Sequence, residues 1–142
     1  MIPDKYLYIS PRQASQTLIT RILEAMEKDS ERPFTIALSG GTTPAVLFEV
    51  WESEFAAYTP WTRLYFYWVD ERCVPPDDAQ SNFGLANRLL FSKIKLPPSH
   101  YYRIVGEGAP AEEAILYSSL VKATVPTVDE VPVFDFVLLG VG

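Results

Sequence analysis

Six consecutive residues, Leu64-Tyr65-Phe66-Tyr67-Trp68-Val69, are apolar or aromatic at every position. A strand with one face in water would alternate, so this run predicts a strand covered on both sides, as in a parallel sheet with helices above and below. The flanking segments have the helical spacing that such cover needs. Ala14, Leu18, Ile22 and Ala25 recur on one face together with Ile19, Leu23 and Met26. Ser10 stands as the cap and Pro11 at the first helical position of a helix running to about Lys28. Tyr6 to Ile9 is expected to form a first strand ahead of this helix, and Phe34 to Leu38 a second strand after it.

Further along, a helix is expected from Pro44 to about Phe55, a loop over Val74 to Ala79, and a helix from a Ser81 cap to about Phe91. A short strand over Tyr101 to Ile104, a helix over Ala111 to Lys122, a connector over Pro126 to Pro132 and a strand over Val133 to Leu139 complete the chain, which closes on Gly140-Val141-Gly142. Strands alternating with helices predict an α/β class with a mostly parallel sheet. At 142 residues the simplest organisation is a single domain over residues 1–142. A chain of this length buries about two-thirds of its unfolded surface.

Ligands of such sheets bind beyond the carboxyl ends of the strands. Three unusual segments fall there: Ser39–Thr43, Asp70–Arg72 and Gly140–Gly142. In the first, Gly40 and Gly41 leave their N–H groups uncovered. Thr43 is expected as N-cap and Pro44 at the first helical position. A helix N-terminus of this kind suits a phosphate, and it also suits an ordinary strand-to-helix turn. The pattern is neither a P-loop nor a dinucleotide fingerprint. In the second segment, Arg72 is a candidate ligand for phosphate or carboxylate, and Asp70 for substrate hydroxyls or a proton. The alternative is a solvated loop with a surface ion pair. Ser81 and Asn82 are candidate ligand donors, although a helix cap is the plainer role for Ser81. His100, the single histidine, lies in a Pro-Pro-Ser-His loop that suits surface or cap contacts better than catalysis.

The net charge of −6, with no basic run, argues against a nucleic-acid partner, and an anionic ligand would need local donors. No His/Cys spacing supports a metal site. The longest apolar run is too short to span a bilayer. Asp4 and Lys5 interrupt any apolar leader, so no signal peptide is expected. The lone Cys73 permits no internal disulfide and suits a reducing compartment, with cytoplasm the default.

Four blocks in order, Leu38-Ser-Gly-Gly-Thr-Thr-Pro44, Trp68-Val-Asp-Glu-Arg-Cys-Val-Pro75, Ser81-Asn82 with Leu89-Leu90, and Phe134-Asp-Phe-Val-Leu-Leu-Gly-Val-Gly142, make the chain resemble the 6-phosphogluconolactonase family of the glucosamine-6-phosphate isomerase superfamily. The resemblance implies a doubly wound, three-layer Rossmann-like fold. It also implies hydrolysis of 6-phospho-D-glucono-1,5-lactone to 6-phosphogluconate in the pentose phosphate pathway, with no metal or cofactor. A sugar phosphate is then the expected partner. Phosphate would sit on Ser39, Gly40, Gly41, Thr42, Thr43 and Arg72. Asp70 and Arg72 would be catalytic, with Ser81, Asn82, Gly140 and Gly142 contributing further substrate contacts. Arg72, where the related deaminases have an aromatic residue, favours the lactonase over an isomerase or deaminase. A non-catalytic sugar-phosphate-binding domain is a third reading. In the family the last block continues into Asp-Gly-His, whose histidine is the expected general base, whereas this sequence stops at Gly142. The chain is therefore expected to be the N-terminal part of a longer domain, inactive or nearly so by itself. It is also expected to expose an apolar strand edge prone to self-association.

Overall fold

A computed structural model describes residues 4–140. Helix α1 spans Pro11–Lys28. The Ser10 hydroxyl accepts from the Gln13 N–H at 3.2 Å, and the Gln13 side chain in turn accepts from the Ile9 N–H at 2.9 Å. Strand β1, Phe34–Leu38, is buried along its whole length. Helix α2 covers Thr42–Val50 and continues as a π-helical turn, Trp51–Phe55. Strand β2 is Leu64–Trp68. Helix α3, Asn82–Ala86, runs through a π-helical turn into α4, Ser92–Ile94, which ends on Lys95 in the left-handed region. Helix α5 is Pro110–Thr124.

The sheet is parallel in the order β2-β1-β5, where β5 is Phe136–Val137. Phe34 pairs with Leu64 and Leu38 with Trp68, while Ile36 and Ala37 also face Phe136 and Val137. Alternate residues go to opposite faces. Phe34, Ile36, Leu38, Leu64, Phe66 and Trp68 pack against the helices α1 to α3. Ala37 and Tyr67 pack on the other face with Val125, under Leu120 and Val121 of α5. The aromatic run of β2 is thus covered on both sides, which is why it can be apolar at every position. This is the expected α/β architecture.

Several local expectations are corrected. Tyr6 to Ile9 forms no strand: Leu7 and Ile9 are 99% and 92% exposed, and the Tyr6 ring lies beside the Arg21 guanidinium. Four residues with no neighbouring strand have nothing to pair with or bury against. Thr43 is not the cap of α2. Gly41 is, at φ 108, so Thr42 is the first helical residue and Pro44 the third, still within the turn whose N–H groups lack intrahelical partners. The strand expected at Tyr101–Ile104 is a single bridge from Tyr101 to Phe66.

Pro126 to Pro132 is a hairpin rather than a connector. Its strands are β3, Thr127–Val128, and β4, Val131–Pro132, joined by Asp129 and Glu130, both at positive φ. Finally, the strand expected over Val133–Leu139 pairs only at Phe136–Val137. The Asp135 carboxylate accepts the Thr35 N–H at 2.8 Å, and the Val133 N–H is turned to Pro126.

Candidate active site at the carboxyl rim

The three strand ends lie side by side. Beyond β2 the Val69 N–H donates to the Leu38 carbonyl at 2.9 Å, and beyond β5 the Leu138 N–H donates to the Ala37 carbonyl at 2.9 Å. The Ser39 hydroxyl donates to the Leu138 carbonyl and fastens the β1 turn to the segment leading to Gly140. Above this rim is a cleft of about 680 Å³. Its walls are the Ser39–Pro44 turn, Ala14 and Leu18 of α1, and Val137–Gly140.

No side chain caps α2. The first N–H satisfied within that helix is that of Ala45, which reaches the Gly41 carbonyl at 3.2 Å. A Cβ placed on Gly41 would meet nothing within 4 Å, so the outer face of the turn is open. The N–H groups of Thr42 and Thr43, at the positive end of the α2 dipole, are therefore available to an anion in the cleft. Both threonines are exposed.

Asp70 and Arg72 are exposed, and among the described residues neither forms an ion pair. Glu71 between them has a different fate. Its carboxylate accepts from the N–H groups of Arg72, Asn82 and Phe83 at 2.8, 2.7 and 3.0 Å, and from the Ser81 hydroxyl at 3.0 Å. It closes the Glu71–Ser81 loop onto the start of α3. Sequence reasoning missed this residue, because no short-range signal links an acid to a helix start ten positions later. Ser81 itself accepts from the Gly84 N–H at 3.0 Å. Its hydroxyl is occupied as donor and acceptor, so the cap role prevails over ligand contact. The Asn82 amide is turned inward, onto Asp70 and Gly40. The Arg72 carbonyl packs where a Cβ on Gly106 would stand, 2.1 Å away, which ties the loop to the segment after Tyr101.

Beneath this rim Tyr117 of α5 accepts the Trp68 N–H at 3.0 Å and donates to the Tyr102 carbonyl at 2.7 Å. Burial pushes its phenol well above the ordinary value of 10. His100 is remote from the site. Its Nδ1 lies 2.9 Å from the carbonyl of Leu64, the first residue of β2, and its ring stacks on Tyr65 at the amino edge of the sheet. The described residues contain no group of three or more His, Cys, Asp or Glu side chains arranged to hold a metal. Gly140 lines the cleft, and Gly142 lies outside the described residues.

The family described as glucosamine-6-phosphate isomerases/6-phosphogluconolactonase matches residues 10–142. The chain belongs to that family. A 6-phosphogluconolactonase of Treponema pallidum is 45% identical over 107 residues, covering 75% of this chain and 44% of its own length. One from Nostoc is 30% identical over 144 residues, covering all of this chain and 57% of its own length. Among solved structures, a protein described as devB superposes with a TM-score of 0.90 at 42% identity, over 96% of this chain and 57% of its own. The 6-phosphogluconolactonase of Trypanosoma brucei superposes with a TM-score of 0.85 at 28% identity, over 99% of this chain and 60% of its own. The chain thus spans about half the length of the family members it matches. Its sheet and helices are those of the family's Rossmann-like fold.

Proposed function

We propose that these 142 residues form the phosphate-binding part of a 6-phosphogluconolactonase, one α/β unit within a longer domain. The observation that carries this reading is the uncapped start of α2, opening into a cleft at the rim that also bears Asp70 and Arg72. The names borne by similar chains support a lactonase over the isomerase or deaminase alternative, as does Arg72 after the acidic pair. The substrate is 6-phospho-D-glucono-1,5-lactone. Its phosphate docks on the N–H groups of Gly41 to Thr43 with Arg72 as counter-ion, and this remote binding orients the ring. Asp70 faces the sugar hydroxyls.

In hydrolysis, water adds to the lactone carbonyl and gives a proton to a base. The tetrahedral oxyanion then collapses, and the ring C–O bond breaks with a proton passing to the departing oxygen. The one histidine of the sequence sits at the opposite edge, so no imidazole of these residues can be that base. That position favours a second reading for the isolated chain, binding without turnover. No helix among the described residues is long and apolar enough to cross a membrane. We assign a cytoplasmic setting, in keeping with the single exposed thiol of Cys73.

Calorimetric titration of the chain with 6-phosphogluconate, with gluconate as the phosphate-free control, tests the assignment. Saturable binding of the phosphate ester alone, weakened at least about tenfold by Arg72→Ala, is the expected outcome (loss of one charge-assisted contact). Equal binding of gluconate, or none of either, would refute it. Lactone consumption above the spontaneous rate by a mass-verified 142-residue chain would overturn the claim of binding without turnover.

A further inference from the structure

We infer that Asn82 is a positioning residue that mechanically couples the Gly40 turn to Asp70, joining the phosphate end of the site to its sugar end. Asn82 was a candidate ligand contact by sequence, yet it is only 4% exposed. Its Nδ2 donates to both the carbonyl and the Oδ1 of Asp70, each at 3.2 Å, and its own N–H is held by Glu71 at 2.7 Å. On the other side, its Oδ1 would stand 1.9 Å from a Cβ built on Gly40 and its Cγ 2.4 Å away. The Asn82 amide therefore occupies the space that a side chain on Gly40 would need.

Gly40 is not at positive φ, so it is glycine for space rather than for conformation. One planar side chain fills the gap between a turn at the end of β1 and a carboxylate at the end of β2. It has no slack on either side: the amide is pinned by hydrogen bonds to Asp70 and by contact to Gly40. A displacement of the turn moves the amide, and the amide carries Asp70. Densely packed groups of this kind transmit small shifts because they cannot deform continuously.

The functional meaning rests on the phosphate-site reading above. An anion settling on Gly41 to Thr43 would draw the turn toward it, and Asp70 would respond through Asn82. The mechanical link itself does not depend on any ligand, which keeps the two ideas separable.

The test follows backbone amide resonances of the full chain. Without ligand, Gly40→Ala is expected to shift the Asp70 and Glu71 amides in the parent protein. In an Asn82→Ala background that shift is expected to shrink sharply. The Oδ1 and Cγ that would stand 1.9 and 2.4 Å from the new methyl are gone, and the remaining Cβ, at 3.2 Å, needs to give by only a few tenths of an ångström. Asn82→Ala should also recover part of the stability that Gly40→Ala loses, a rescue that two independent structural defects would not show. An Asp70 shift of the same size in both backgrounds would overturn the coupling. With inorganic phosphate as titrant, the parent should show responses at Gly41–Thr43 and at Asp70 with one midpoint. Asn82→Ala should keep the first and lose the second. Responses at both places that survive Asn82→Ala overturn the coupling and leave the phosphate site standing. No response at Gly41–Thr43 in either protein overturns the phosphate site, and the ligand-free comparison then decides the coupling by itself.

Discussion

At the scale of single residues, the rim depends on two side-chain choices that have little to do with reacting atoms. Gly41 is held at φ 108 and ψ −173 with open space around it. A side chain there meets no neighbour, so the cost of Gly41→Ala is backbone strain alone, about 1–3 kcal/mol. Urea unfolding of that variant should show a lower midpoint with an unchanged slope. Glu71 satisfies its neighbour's N–H, at Arg72, and two backbone N–H groups and a hydroxyl at the start of α3. Glu71→Ala should therefore cost about 2 kcal/mol, and Glu71→Gln less, since the amide oxygen can still accept part of the set. The same unfolding series measures both. The triplet Asp70-Glu71-Arg72 was legible as a strand-end cluster. Its division into two exposed candidate ligands and one half-buried cap was not, because the α3 partners of Glu71 lie ten to twelve positions away.

At the scale of elements, the end of β2 is fastened from below by α5. The Tyr117 hydroxyl serves two backbone groups at once, and Tyr117→Phe leaves both without that partner, at a cost of about 1–3 kcal/mol. The phenols of Tyr117 and Tyr67 are both raised, chiefly by burial. A raised folded-state value means that the unfolded chain loses these protons first. Stability from this source is complete below pH 10, where an unfolded tyrosine titrates, and falls as pH rises beyond it. Thermal unfolding between pH 8 and 11 should show that decline, and Tyr117→Phe should make it shallower. The β3–β4 turn carries Asp129 and Glu130 at φ 50 and 65. Glu130→Gly should stabilise the hairpin by about 0.5–1 kcal/mol, read from the same melts, because glycine adopts this conformation without strain. Sequence reasoning passed over the hairpin because its turn lacks the glycine that usually marks one.

For the whole molecule, the sheet is protected unequally. Strand β2 is flanked by the Tyr101 segment, whereas among the described residues β5 is paired on one side only, with its own Val137 48% and the following Leu139 70% exposed. An unpaired edge next to apolar side chains invites pairing with another chain. The isolated 142-residue protein should sediment as concentration-dependent oligomers. The double substitution Val137→Lys with Leu139→Lys should shift it toward monomer, and a parent that stays monomeric at every concentration would refute this.

The layer order was decided locally. Strand β2 is apolar on both faces, α1 has helical spacing behind a Ser-Pro start, and Gly40-Gly41 separates a strand from a helix. Each of these is a short-range signal, set by side-chain sterics and by periodicities of two and 3.6 residues. The meeting of three segments at one rim followed from the rule that a parallel sheet places its strand ends together. Tertiary structure alone decided where each candidate side chain is directed. Ser81 turned to its own helix, Asn82 turned inward to join Gly40 and Asp70, and His100 went to the far edge. It also decided that Tyr6 to Ile9 would not become a strand, since pairing needs a neighbour that the local sequence does not specify. The physical reason is common to all four. A polar side chain or a strand edge is satisfied by whatever the fold brings within hydrogen-bond reach, and across ten to a hundred positions that is a property of the packing and not of the neighbours in sequence.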